Sequence, residues 1–216
     1  PTSGLIVEGN VGIGTTSPGS ILALGGTAAR IFGMDRNTTA ATAGQGFTIS
    51  SGGAIAGTAD LAGGDLTLKS GTSTGTGSSA IRFFTATAGS TGITDNAPTE
   101  KVTILNNGNV GIGTTGPGAK LDISDGTVGS QVRLRVIHTN STNAGSNANI
   151  LLQSTGASGG DAYTVYAVNG EAALWTTGLD NSDSNKFKIG ISETIGTNTM
   201  LTIQQDGNVG IGTNAP

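Results

Sequence analysis

The chain has no cysteine, which excludes a disulfide scaffold and any thiolate-bound metal. Charged residues are 11% of its 216 residues, well under the roughly one quarter of an ordinary domain. Ten Lys and Arg without a cluster leave no electrostatic footprint for nucleic acid. A net charge of −4 is too small to enforce disorder by repulsion. Apolar runs stay far below the roughly 18 residues of a membrane-spanning helix, so no membrane insertion is expected. Aromatics are only 4%.

Small and turn-forming residues fill the space: 38 Gly, 33 Thr, 23 Ala, 19 Ser and 16 Asn. Glycine follows no G-X-Y period, so the chain is not collagen. Val, Ile, Leu and Phe number 47. So few large apolar side chains make a poor core for one chain, because ordering the backbone costs about 1–2 kcal/mol per residue whatever the side chain. A chain that shares its interior with identical neighbours is expected, rather than a self-sufficient enzyme.

One heptapeptide organises the sequence. GNVGIGT occurs at 9–15, 108–114 and 207–213, at a spacing of 99 residues both times. Each copy is followed by a proline, Pro18, Pro117 and Pro216, and KVTILNNGNVGIGT (101–114) matches MLTIQQDGNVGIGT (200–213). Weaker matches align SILALGG (20–26) with AKLDISD (119–125), GFTISSGGA (46–54) with NILLQSTGA (149–157), and IRFFT (81–85) with FKIGI (187–191). A short hairpin unit, 1–18, and two long β repeat units, 19–117 and 118–216, follow. A start without Met and a stop on a repeat boundary suggest a segment of a longer array.

Apolar residues recur with period 2, as in Leu66/Leu68, Val132/Leu134/Val136 and Phe187/Ile189/Ile191. With Gly, Thr, Ser and Asn breaking every helical pattern, this predicts short strands and an all-β fold. The motif itself reads as a hairpin. Its turn is Asn107-Gly108 or Asp206-Gly207, which favours a two-residue type I′ loop. That loop sets Leu105 opposite Val110 and Ile104 opposite Gly111. The structural motif residues are Gly9, Asn10, Val11, Gly12, Ile13 and Gly14; Gly108, Asn109, Val110, Gly111, Ile112 and Gly113; and Gly207, Asn208, Val209, Gly210, Ile211 and Gly212. The bare glycine face admits close approach, here expected from the same hairpin of a neighbouring chain.

These residues resemble a known pattern. NGNVGIGTTGPGAKLDI (107–123) and DGNVGIGTNAP (206–216) are similar to the repeats of phage tail fibres and related long adhesin-like fibre proteins. In the first copy Glu8 stands at the turn position and SILAL replaces AKLDI. The resemblance implies an elongated, intertwined parallel homotrimer. In this family the fibre often ends in an endosialidase-type chaperone domain, which these residues do not contain.

Other candidates have plainer readings. Gly71–Gly75 and Gly156–Gly160 fit G-x-S-x-G, but no helical pattern follows either. Gly111–Gly116 fits G-x-G-x-x-G, yet Pro117 follows where a dinucleotide site opens a helix. His138 is the only histidine and ends an alternating run. Asp180–Asn185 is the densest oxygen cluster but lacks the EF-hand Gly and Glu. Arg133 and Arg135, and Lys186 and Lys188, read as solvated strand faces, with pairing between chains as the alternative. Tyr163, Tyr166 and Trp175 are candidates for core filling or sugar stacking. Asn37 and Asn140 head glycosylation sequons.

The expected role is a structural shaft of a virion tail fibre or other extracellular fibre, giving reach and rigidity for host or surface attachment. Its expected partners are itself, as a homotrimer in an end-to-end repeat array, and a host-surface glycan or protein. No catalytic residue, metal site or cofactor is expected. The alternatives are a bacterial or archaeal filament or adhesin subunit with glycan-binding knobs and, third, a polysaccharide-degrading tailspike.

Overall fold

The structure, a computed structural model, describes residues 9–57, 59–128, 130–139, 147–155, 160–168 and 174–216. Its regular structure is all β apart from one 3-10 turn at Asn181–Asp183. The strands are β1 (Val11–Ile13), β2 (Leu22–Leu24), β3 (Ile81–Ala86), β4 (Pro98–Ile104), β5 (Val110–Ile112), β6 (Leu121–Ile123), β7 (Ala162–Tyr166), β8 (Trp175–Asp180), β9 (Lys186–Gly190), β10 (Thr199–Ile203) and β11 (Val209–Ile211). Among the described residues no helix is long and apolar enough to cross a membrane.

Two compact units divide the chain, Pro1–Ser124 and Asp125–Pro216. In the first, β1 and β2 form a parallel pair, and β3-β4-β5-β6 form a four-stranded sheet in that order. In the second, β11-β10-β9-β8-β7 form one antiparallel sheet. The first unit ends beyond Pro117 because Leu121–Ile123 pairs back in parallel on β5. The AKLDI stretch is thereby tied to the motif that precedes it.

The repeat is visible in the ladders. Ile81 and Phe83 face Ile104 and Val102, as Phe187 and Ile189 face Ile203 and Leu201. IRFFT and FKIGI thus occupy the same place beside the hairpin. The hairpin register differs from the expectation. Ile104 lies opposite Val110 and Thr103 opposite Gly111, where Leu105 against Val110 and Ile104 against Gly111 were expected. Gly108 donates its N–H to the Leu105 carbonyl, and Leu105 donates to the Asn109 carbonyl, each at 2.9 Å. Gly108, at φ +77°, is therefore the third residue of a three-residue loop. One extra loop residue reverses the facing parity. The other long copy repeats this arrangement, with Gln204 bonded to Asn208, Gly207 at φ +94°, and Thr202 opposite Gly210.

Alternation alone did not make every strand. Residues 65–69 and 130–139 belong to no strand, and Leu66, Leu68, Val132, Leu134 and Val136 are exposed. Period 2 expresses a local preference, but a ladder also needs a neighbouring strand. The expected turn at Glu8-Gly9 has Glu8 outside the described residues, as do Asn140 and the Ser158 motif.

Candidate functional site

Each hairpin carries two unlike faces, because residues directly opposite in a ladder share a face. One face of the first sheet bears Thr103 and Gly111. A Cβ at Gly111 would strike the Thr114 carbonyl oxygen and come within 3.1 Å of Thr103 Cγ2. The chain after β5 has folded back onto this face, and Thr103 is fully buried. Asn109 Nδ2 holds the returning loop by donating to the Pro117 carbonyl at 3.2 Å, as Asn10 does to Pro18 at 3.1 Å. A Cβ at Gly12 would strike the Thr15 carbonyl, and one at Gly210 would lie 2.7 Å from Thr213 Cγ2. At Gly12, Gly111 and Gly210 the group that approaches within the chain is therefore the motif's own Thr, at the face where the hairpin of a neighbouring chain was expected.

The opposite face is apolar and open. In the first sheet it runs from Ile81 and Phe83 through Val102 and Ile104 to Val110 and Ile112, then Leu121 and Ile123. None of these is buried, and Phe83 and Ile112 keep 45% and 42% of their surface. In the second sheet the same face carries Ile211, Leu201, Ile189, Phe187 and Leu179. Tyr166 and Trp175 sit opposite one another on it, both exposed. Tyr163 lies on the other face, against Gly178, so the three aromatics do not form one cluster.

The interior of the second unit is polar. Thr176 and Thr202 are fully buried, Lys188 is 2% exposed and Asp180 is 3% exposed. Lys188 Nζ donates to Asp180 Oδ2 at 2.8 Å and to Asp183 Oδ2 at 2.5 Å. Asp180 Oδ1 accepts from Ser182 Oγ at 2.6 Å and from the Asp183 N–H at 3.1 Å, capping the 3-10 turn. Ile195, in the loop after β9, is buried, and Gly196 lies against the Asp180 carboxylate. Burial alone would raise Asp180, but the bonds from Lys188, Ser182 and Asp183 leave its carboxyl below the ordinary range. Burial likewise works against charged Lys188, and the two carboxylates still hold it above the usual lysine value. Lys186 and Lys188 are thus not two solvated or interchain cations. Lys188 is committed inside its own chain, and Lys186 reaches Asp183 at 2.9 Å and the Asn214 carbonyl at 3.0 Å.

This pairing was legible only as a weak signal. Lys188 alternates with Phe187 and Ile189 and so falls on the face opposite theirs, but nothing in the sequence marks that face as the covered one. Asp180, read as a member of a loop cluster, spends its oxygens on Lys188 and the turn. Ser73 lies on an exposed stretch with no helix after it, and Gly111–Gly116 is a strand end and turn. Arg133 and Arg135 are exposed outside any strand. His138 is exposed too. Asn37 precedes a turn, and its Oδ1 accepts the Thr39 N–H at 2.9 Å.

No family model and no curated protein matches this chain.

Proposed function

We propose that the chain is a structural segment of an extracellular or virion fibre, similar to a phage tail-fibre shaft. Three parallel copies intertwine and give reach and rigidity for attachment to a host or another surface. One observation carries this reading. In both units the chain covers the Thr/Gly face of its sheet with its own loops and leaves the apolar face open. A sheet normally buries its apolar face, and exposed apolar area of this extent marks an association surface. Burying it is worth about 25 cal/mol per Å². Copies also offer strand partners to the extended stretches around Leu66 and Leu134, and interchain ladders close open edges.

Mass measured on single particles at nanomolar dilution tests this. The expected species has three times the 21.1 kDa chain mass, and Phe83→Asp with Ile112→Asp should dissociate it. A folded monomer at that dilution overturns the trimer.

The exposed Tyr166–Trp175 pair favours a second reading, a bacterial or archaeal filament whose knobs stack on glycans. Glycan-array binding that Trp175→Ala abolishes would support it. If no glycan binds, this second reading is lost.

A further inference from the structure

We propose that the outer edge of β11 is an acceptor site for one parallel β-strand of the Lys-Leu-x-Ile type.

The two earlier motif copies show the completed form. Val11, Gly12 and Ile13 pair in parallel with Leu22, Ala23 and Leu24. Val110, Gly111 and Ile112 pair in the same sense with Leu121, Asp122 and Ile123. The offset is 11 residues in both. The bonds are equivalent too: Val11 N–H to the Ile21 carbonyl and Gly25 N–H to that of Ile13, Val110 N–H to the Lys120 carbonyl and Ser124 N–H to that of Ile112.

β11 has the same sequence, and the same antiparallel partner as β5, but among the described residues no strand lies on its other side. It is the edge strand of its sheet. Gln204 bonds to Asn208 and Gly212 to Met200 across the hairpin. The N–H and C=O groups of Val209 and Ile211 therefore point away from β10, toward the open edge. Gly14 and Gly113 explain what the last motif glycine is for. At φ +75° in both, they leave room for the carbonyls of Gly25 and Ser124, the residues just past the parallel strand. Gly212 keeps the left-handed backbone, φ +69°, with nothing within 4 Å.

Side chains mark the same place. Val209 and Ile211 are 57% and 85% exposed, whereas Ile112, flanked by β6, is 42% exposed. A Leu and an Ile two residues apart on the incoming strand would lie beside them, as Leu121 and Ile123 lie beside Val110 and Ile112. Lys120 Nζ donates to the Asn107 carbonyl at 2.6 Å. Asp206 holds the corresponding turn position, so its backbone carbonyl is the acceptor that a lysine on the new strand would meet. Strand addition of this kind takes affinity from the backbone bonds and specificity from alternate side chains.

The test appends Gly-Ala-Lys-Leu-Asp-Ile-Ser-Asp-Gly, the sequence of residues 118–126, after Pro216 of the full chain. Amide exchange is then followed by NMR. The Val209 N–H should exchange at least tenfold more slowly than in the unextended chain. The same extension with its Leu and Ile replaced by Ser should restore the original rate. The Gly210 amide, on the β10 side, reports in each case that the hairpin is folded. A free peptide of the same sequence should protect Val209 saturably. An unchanged Val209 rate in the extended, folded chain overturns the proposal. So does full protection of Val209 in the unextended chain, which would mean that something else already closes the edge.

Discussion

Replacing Lys188 by Met removes the cation from the interior of the second unit and leaves Asp180 there with its charge. Asp180 is 3% exposed and, among the described residues, keeps Ser182 and the Asp183 N–H. Breaking one side of a buried pair costs about 3–5 kcal/mol. Protonation sets a ceiling on that cost. Holding a carboxyl of ordinary value 3.8 neutral at pH 7 takes about 4 kcal/mol, at about 1.4 kcal/mol per pH unit. A loss of about 3–4 kcal/mol at pH 7 is expected, measured by urea unfolding followed through Trp175 at fixed protein concentration. The pH dependence has a definite sign. In the native chain Asp180 and Asp183 are lowered and Lys188 is raised. The carboxylates' contribution is present above 3.8 and fades as pH falls through their folded values; that of Lys188 is full below 10.5 and fades as pH rises through its folded value. Without Lys188, burial pushes Asp180 up, so the variant's deficit should shrink as pH falls from 7 toward 4. Adding Asp180→Asn should recover most of the loss, since the amide oxygen still caps the turn. A deficit below about 1 kcal/mol at pH 7, or one unchanged down to pH 4, would refute a charge-held interior.

Gly111→Ala should cost about 1–3 kcal/mol by overpacking against the Thr114 carbonyl, while Gly116→Ala, with nothing within 4 Å, should be near neutral. Thermal unfolding of both checks this, and equal losses would remove the close-packed loop from the account. Thr103 and Thr202 bury hydroxyls that have no hydrogen-bond partner among the described residues. Since such a group costs about 1–3 kcal/mol, Thr202→Val should raise the urea midpoint, and a lowered midpoint would show the hydroxyl to be satisfied.

The motif's existence, the hairpins at its second and third copies and the β class were readable because they depend on neighbours in sequence. Asn-Gly and Asp-Gly mark a turn, and apolar alternation marks extended chain. The register was not readable, because a two-residue and a three-residue loop share the same Asn-Gly signature and differ only in which residue takes the left-handed backbone. Nor was the role of the glycines. The sequence shows a bare face at Gly111, but only the fold shows Thr114 lying on it. Phe187, Ile189 and Lys188 were placed correctly on alternate faces, yet which face would be covered was open.

By itself the sequence determined a β chain punctuated by one recurring hairpin, since glycine spacing, turn residues and period-2 alternation act within a few residues of one another. Tertiary structure decided what those strands meet: Leu121–Ile123 lying parallel on β5, Lys188 sealed between two aspartates, and the apolar faces left outside. Contacts between residues far apart in the chain depend on loop closure and on which surface a returning segment reaches first. Local pattern does not encode either one.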